Sequence, residues 1–395
     1  MTEREELTQV LKSQIQRATL HRDLGSSANL RKFAEDLLKA HLFQHQGTAV
    51  TAVQLQLIDE VVESCMGLGP LSALIADEGI SEIMVNHYNS IFIERQGKLL
   101  PTDIRFRSEE ELLQVIERIV LPLGRRIDSA QPMVDARLPD GSRVNAVIAP
   151  LALRGACLTI RKFARKTIDF DDLTRLNAIT DSAKAYLQEM VRIRKNILIV
   201  GGTGTGKTTL LNLLASEVPE NQRIITIEDA AELKLRHVNL IALEARPANA
   251  EGRGQVTIRE PLINALRMRP DRIVVGECRG AEALDMLQAM NTGHEGSLST
   301  LHANSPREAL QRLEVMVMLA GFELPLTAVR QQIASAIQVI VQIARLSDGR
   351  RVITAISEVV GLESIAYQIT PLFEWRDSQL CCTGMGSEWG QHNGH

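Results

Sequence analysis

The chain lacks several features that mark common classes of protein. Aromatic residues make up only 3% of its 395 residues, which leaves few side chains for base stacking and argues against a single-strand nucleic-acid binder. Its five cysteines are scattered and form no C-x-x-C pair, which excludes a disulfide framework and a four-cysteine zinc site. No run of about 20 apolar residues could form a membrane-spanning helix, and the first 22 residues have no apolar stretch typical of a signal peptide.

An excess of positive charge is also missing. The chain has 44 Lys and Arg against 48 Asp and Glu, a net charge of −4, whereas a general nucleic-acid binder usually carries a basic surplus. The hydrophobic fraction of 45% and the charged fraction of 23% are typical of globular proteins, so disorder over the whole length is excluded. We expect a cytoplasmic protein of about two or three domains with no specific nucleic-acid partner.

Changes in the hydrophobic pattern divide the chain into five predicted segments. Residues 1–70 show helical spacing of apolar residues, and residues 71–165 mix strand-like runs with a helix, as in a small α+β domain. Residues 166–182 are polar and predict a linker or short-helix junction. Residues 183–377 carry short, continuous apolar runs between helical stretches, which is typical of a buried parallel sheet in an α/β domain. Residues 378–395 contain four glycines and are expected to be flexible.

The most specific motif follows the apolar run 197–200. Residues 201–208 fit G-x-x-x-x-G-K-[ST], the phosphate loop of nucleotide-binding proteins, and a helical run follows them. In such a loop the backbone N–H groups surround phosphate oxygens, the lysine reaches the β- and γ-phosphates, and the hydroxyl after it helps to hold Mg²⁺. The predicted nucleotide-binding residues are Gly201, Gly202, Thr203, Gly204, Thr205, Gly206, Lys207, Thr208 and Thr209.

Two further apolar runs of this segment end in carboxylates. Glu228 and Asp229 follow one run, and Glu277 ends another. Ligands of open α/β sheets bind where strands end, so we predict that Glu228 and Asp229 join Thr208 as metal ligands and that Glu228 also takes part in catalysis. Glu277 is the candidate to orient the attacking water, or to hold a metal through water. The alternative for each is an ordinary acidic strand terminus.

Two histidines, His294 and His302, flank the short predicted strand 297–301. Eight residues of extended chain span about 26 Å, too far for both rings to bind one metal ion without a bend. We therefore predict polar contacts to nucleotide phosphate or to neighbouring acidic residues. The alternative is that both are surface histidines or histidines with ordinary partners in the core.

Hydrolysis of a nucleotide usually needs positive charge beyond the loop lysine. Arg137 and Arg143 stand six residues apart across a Pro-Asp-Gly turn, and one hairpin tip could present both as bidentate phosphate ligands. We predict that they assist catalysis and couple it to domain movement; the alternative is that both make surface salt bridges. Arg272 and Arg279 lie nearer the motifs and are expected to pair with acidic neighbours such as Glu277.

The phosphate loop, the acidic strand end, the Gly-Glu strand and the histidine box together resemble those of the type II/type IV secretion ATPases. Residues 83–86, 124–127 and 132–145 resemble the N-terminal domain of the CpaF/TadA branch, which powers assembly of Flp-type (tight-adherence) pili. The resemblance covers about residues 70–362. It implies a RecA-like P-loop NTPase motor domain preceded by a smaller PAS-like α+β domain and an N-terminal helical segment.

The same resemblance implies partners and cofactors. The cofactors are ATP and Mg²⁺. The partners are further copies of the chain in a ring of six, and an inner-membrane platform protein of a pilus or secretion machine, which would hold the chain peripherally at that membrane. Two departures stand out: Glu277 occupies the place of the Asp common to phosphate-loop ATPases at large, and the four-cysteine zinc module of pilus-extension relatives is missing, which favours the CpaF-like branch.

Two other functions share the phosphate loop. A small-molecule kinase would need an acceptor pocket and a lid. Residues 71–165 instead resemble the N-terminal domain of a secretion motor. A DNA-translocating ATPase of the conjugation type would need a basic loop or pore. The basic residues available for one are a modest set: Arg125, Arg126, Arg161, Lys162, Arg165 and Lys166.

Overall fold

The computed structural model describes residues 32–39, 58, 67–95, 97–163, 168–248 and 253–388. The chain divides into two compact units, residues 1–165 and 166–395. The predicted N-terminal helical segment lies mostly outside the described residues; within it, residues 32–39 are helical. No helix in the described part of the chain is long and apolar enough to cross a membrane.

The first unit is built on an antiparallel sheet of six strands in the order β3-β2-β1-β6-β5-β4. Its helix α2 begins where the sequence pattern predicts, because the Ser108 side chain accepts a hydrogen bond from the Glu111 amide and three acidic residues occupy the first turn. Its elements are α1 (Leu71–Ala76), β1 (Ile80–His87), β2 (Ser90–Arg95), β3 (Lys98–Pro101), α2 (Glu109–Val120), a 3₁₀ turn (Leu121–Leu123), β4 (Met133–Arg137), β5 (Arg143–Val147) and β6 (Cys157–Arg161).

The second unit is an α/β domain with a sheet of nine strands in the order β15-β14-β13-β12-β7-β11-β10-β8-β9. Its elements are α3 (Phe170–Arg175), α4 (Asp181–Arg192), β7 (Ile197–Val200), α5 (Lys207–Ser216), β8 (Ile224–Glu228), β9 (Leu240–Glu244), α6 (Arg259–Ala265), β10 (Arg272–Cys278), α7 (Glu282–Asn291), β11 (Leu298–Leu301), α8 (Pro306–Met318), α9 (Leu326–Ala336), β12 (Val339–Arg345), β13 (Arg351–Glu363), β14 (Ala366–Arg376) and β15 (Gln379–Cys382).

The central strands of this sheet are covered on both faces. Strands β12, β7, β11, β10, β8 and β9 run parallel to one another, and β13 to β15 add antiparallel strands at one side. One apolar core contains residues of α4 and α5, and the other contains residues of α6 to α9. All four residues of β7 are buried, which explains why its sequence is a continuous apolar run rather than an alternating one.

One of the segment predictions needs correction. The predicted linker or short-helix junction at 166–182 contains the short helix α3, whose first residue, Phe170, is buried in the core of the second unit. The expected flexible tail at 378–395 begins with a strand, because β15 pairs with β14 in register from Phe373↔Cys382 to Arg376↔Gln379. The glycines that suggested flexibility lie beyond this strand, which the apolar Leu380 anchors in the core.

Candidate nucleotide-binding site

The phosphate loop lies at the carboxyl end of the parallel sheet. It connects β7 to α5, and its last residue, Gly206, has φ +102°. Glycine adopts this backbone conformation at little cost, whereas other residues are strained by it. The Thr205 hydroxyl donates to the Gly202 carbonyl at 2.9 Å. The loop is thus closed on itself ahead of the α5 N-terminus, whose unpaired N–H groups and dipole suit an anion.

Lys207 occupies the first position of α5 and is buried, with 7% of its surface exposed. Its Nζ donates to the carbonyl oxygens of Gly201 at 3.1 Å and Gly202 at 2.8 Å. The ammonium therefore lies inside the loop, as the motif predicts. The other loop residues fall as expected for a phosphate cradle: Thr203 and Gly204 are exposed at the tip, and Thr208 and Thr209 are half-buried in the first turn of α5.

A chain of polar and charged side chains leads away from this lysine. Lys207 Nζ lies 3.3 Å from His302 Nε2, and that nitrogen lies 2.7 Å from Glu277 Oε1. Glu277 Oε2 is 2.7 Å from Nε of Arg279, which also lies 3.4 Å from the Asp229 carboxylate. The structure thus joins residues from four segments of the sequence at one edge of the sheet.

The parallel register brings these residues together. Strand β11 lies between β7 and β10, with Leu301 beside Val200. His302, the residue after Leu301, is therefore placed next to the phosphate loop. Burial lowers the pKa of His302 below its ordinary value; Lys207, Arg279 and Arg312 act in the same direction, and Glu277 opposes them. The ring is accordingly favoured in its neutral form, which can stand beside the Lys207 ammonium.

His294 does not share this environment. It precedes β11, whose first residue, Leu298, pairs with Ile197 at the start of β7. Four strand residues, a length of about 13 Å, separate that end of the sheet from the phosphate loop. In its own chain His294 therefore lies away from the phosphate loop, and its predicted polar contacts, to nucleotide phosphate or to acidic residues, stay a prediction. The sequence placed both in one motif, but a strand carries its two ends to opposite edges of the sheet.

Glu228 has a different setting from Glu277. It is 3% exposed, and its Oε1 accepts hydrogen bonds from the backbone amides of Glu232 at 2.8 Å and Leu233 at 3.1 Å. Burial raises the pKa of Glu228, and these amide hydrogen bonds partly oppose the shift. These contacts are those of a residue that holds the loop after β8. By contrast, Glu277 and Asp229 both meet Arg279 beside the phosphate loop.

The two N-terminal arginines are opposite one another in the first unit. Arg137 ends β4, Arg143 begins β5, and the two residues pair directly in the hairpin register. This confirms that one hairpin presents both residues; their role toward a nucleotide stays a prediction. Of the nearer arginines, Arg279 pairs with Glu277 as expected. Arg272 instead is buried, and it donates to the backbone carbonyls of Val191 and Gly296.

The residues present fit a nucleoside triphosphate. The segment 201–209 contains no acidic residue, the N-terminus of α5 faces the loop, and a lysine lies within it. The fit to Mg²⁺ depends on fewer groups, because no cluster of three or more His, Cys, Asp or Glu suited to a metal occurs in the ranges that the structure describes. The predicted Mg²⁺ ligands, Thr208, Glu228 and Asp229, stay a prediction, and phosphate and water would complete the coordination.

Sequence reasoning missed one neighbour of the loop. Ile343, in β12, packs against both ends of the loop: its backbone oxygen occupies the space that a Cβ on Gly201 would need, and its Cδ1 lies 3.5 Å from the position of a Cβ on Gly206. Gly201 is thus required by this close approach. No local pattern could have shown it, since 142 residues separate Gly201 from Ile343 and only the sheet order makes them neighbours.

Comparison with known proteins agrees with this geometry. Residues 65–369 match the family model described as type II/IV secretion system protein. A Mycobacterium tuberculosis protein named for conjugal transfer is 41% identical over 310 residues, which cover 77% of this chain and 88% of that protein. The type IV secretion system protein PtlH of Bordetella pertussis is 35% identical over 306 residues, covering 70% of this chain and 89% of PtlH.

A solved structure shows the same fold. The ATPase DotB of Legionella pneumophila matches with a TM-score of 0.51 and 24% sequence identity, over 74% of this chain and 80% of that one.

Proposed function

The chain belongs to the type II/IV secretion system protein family, and we propose that it is an ATP-hydrolysing motor of a secretion, conjugation or pilus-assembly machine. The observation that carries this proposal is the continuous set of side chains Lys207, His302, Glu277 and Arg279 at the phosphate loop. A kinase of small molecules would require an acceptor site as well. The contacts at the loop instead supply what water attack on a phosphate needs: a cation, a carboxylate and groups that hold that carboxylate in place.

Each residue has a defined part in the proposed reaction. Bound magnesium–ATP supplies the phosphoanhydride bond and a metal that offsets phosphate charge. Lys207 exchanges its contacts with loop carbonyls for the β- and γ-phosphate oxygens. Glu277 orients the attacking water and accepts its proton. Arg279 and His302 hold the Glu277 carboxylate from its two oxygens, so it enters the reaction already positioned.

The wider setting follows from the family. We propose a homo-oligomeric ring, six-membered as the resemblance implies, that works in the cytoplasm against an inner-membrane platform protein. Arg137 and Arg143 would complete a nucleotide site when their hairpin approaches it, which would couple hydrolysis to movement of the first unit. The CpaF/TadA branch and Flp-type pilus assembly remain the narrower proposal from the sequence motifs.

A second function is favoured by a specific observation. The Mycobacterium tuberculosis relative is named for conjugal transfer, and conjugation moves DNA. A DNA-translocating motor would hydrolyse ATP faster when DNA is added. A protein-secretion or pilus motor would not respond, in keeping with the lack of a general basic surplus. Measuring ATPase activity with and without double- and single-stranded DNA therefore separates the two proposals.

The primary test replaces the loop cation. We expect Lys207→Ala to abolish phosphate release and to weaken nucleotide binding strongly, because the charge inside the loop is lost. Lys184→Ala is the matched control: its Nζ pairs with Asp171 at 2.6 Å on the surface of the same unit, and such pairs contribute little. Near-normal turnover in Lys207→Ala would contradict the assignment.

Light scattering with a non-hydrolysed ATP analogue should show a closed oligomer, and a strict monomer with full activity would contradict the ring.

A further inference from the structure

The hairpin formed by β12 and β13 extends beyond the sheet edge beside the phosphate loop. Strand β12 pairs with β7 from Val339↔Ile197 to Gln342↔Val200, where β7 ends. β12 then continues for three residues, about 10 Å, still paired with β13 up to Arg345↔Arg351. The end of this hairpin is therefore placed alongside residues 201–206, which leave the sheet at the same level.

Side-chain contacts confirm this placement. A Cβ built on Gly206 would lie 3.5 Å from Ile343 Cδ1 and 3.7 Å from Cδ of Arg351. The stem of Arg351 thus runs along the residue that immediately precedes Lys207 and α5. The guanidinium begins one bond beyond that Cδ. Because the hairpin packs against the loop through Ile343, the position of the Arg351 side chain relative to the loop is fixed by the fold.

The charges around Arg351 call for an anion. Its side chain passes Gly206, the residue before α5, so its guanidinium adds a positive charge close to the end of that helix where the dipole is also positive. The neighbouring Arg350 is paired with Asp348 at 2.7 Å. Among the described residues, in contrast, no carboxylate pairs with Arg351, which is exposed. A phosphate bound at the N-terminus of α5 would offset the charge of this arginine as well as the helix dipole.

We propose that Arg351 is a nucleotide-binding residue that contacts the α- and β-phosphates from within the same chain. Backbone groups of a phosphate loop hold the α- and β-phosphates, whereas the lysine reaches the β- and γ-phosphates. The Arg351 side chain passes Gly206, a backbone position of the loop, and an arginine can bind two phosphate oxygens at once. The inference rests on the proposed nucleotide binding, and it adds a residue from a segment outside the motifs.

The test compares affinities for ADP and for a non-hydrolysed ATP analogue, both with Mg²⁺, by titration calorimetry on the full chain. A charge-assisted hydrogen bond contributes enough that Arg351→Ala should raise Kd about 10- to 100-fold for both nucleotides. Arg351→Lys should recover part of the affinity. Arg350→Ala, which removes an adjacent arginine already paired with Asp348, should leave both Kd values unchanged. Thermal melting checks the fold, and Arg351→Gln replaces the alanine variant if that variant melts early.

Three results would overturn the inference. Unchanged Kd values in Arg351→Ala and Arg351→Gln would show that Arg351 does not contact the nucleotide. The proposed function would stay intact if the wild-type chain still binds both nucleotides. An effect on the ATP analogue alone would place Arg351 at the γ-phosphate and refute the α/β assignment. Failure of the wild-type chain to bind either nucleotide would refute the proposed function itself, and this inference with it.

Discussion

The structure distinguishes two carboxylates that the sequence treats alike, and the substitution Glu277→Gln tests the distinction. Glu277 lies between Arg279 and His302, with its side chain 16% exposed. Glutamine keeps the size and shape of this side chain but removes its charge and its capacity to accept a proton from water. The phosphate loop and Lys207 do not depend on that charge, so ATP should still bind.

The expected loss follows from the role of the carboxylate. A positioned general base accelerates a reaction by about 10²–10⁴-fold, which corresponds to about 3–5 kcal/mol of transition-state stabilisation at 1.36 kcal/mol per decade. Glu277→Gln also weakens the contact with Arg279, but that arginine is more than half exposed, and an ion pair with an exposed member contributes little. We therefore expect a turnover reduced at least 100-fold with a nearly unchanged Kd.

Glu228→Gln is the matched comparison. The sequence alone predicts a similar but weaker loss at this position. In the structure Oε1 of Glu228 accepts two backbone amides, from Glu232 and Leu233, and the side-chain oxygen of glutamine can accept the same two bonds. Burial already disfavours the charged carboxylate there, so the neutral amide is tolerated. We now expect turnover close to that of the wild type.

The assay is phosphate release at saturating ATP, with affinity for a non-hydrolysed analogue measured in parallel. Turnover of Glu277→Gln within tenfold of wild type would refute the assignment of the base. An equal loss of binding and turnover would show that Glu277 acts through the fold or a metal instead. A collapse of turnover in Glu228→Gln, with binding kept, would transfer the catalytic role to that residue.

Three other predictions concern separate features. The pKa of His302 is lowered from 6.5, so the folded chain keeps the ring neutral at pH 7. Below pH 6.5 the ring begins to be protonated, which places a second cation beside Lys207, and the ATPase activity should decline. A pH–rate profile of His302→Gln that shows the same decline would contradict this role of His302. Arg137→Ala or Arg143→Ala should lower turnover at least tenfold with ATP affinity largely kept, and unchanged steady-state rates in both would leave them as surface residues. The side chain of Asn196 is buried and makes four hydrogen bonds to backbone groups. Asn196→Asp loses two of the donors and buries a charge, so urea denaturation should show a free energy of unfolding reduced by about 3 kcal/mol or more. A reduction below about 1 kcal/mol would refute this reasoning.

The sequence by itself determined the parts of the site that depend on neighbouring residues. The phosphate loop, the strand before it and the helix after it are encoded within residues 197–216, because glycine conformations, apolar runs and helix starts are local properties. The carboxylates at the ends of β8 and β10 are found in the same way. Their chemical types, but not their neighbours, can be read from such patterns.

Tertiary structure decided which of these residues meet. The order of strands puts β11 between β7 and β10, which brings His302 to Lys207 and Glu277 and leaves His294 at the other edge. The same order puts β12 on the other side of β7, so that Arg351 reaches the phosphate loop. Parallel strands are joined through helices, and their order depends on how those helices pack on the two faces of the sheet. Lys207 and His302 are 95 positions apart, so no local pattern of the sequence contains their contact.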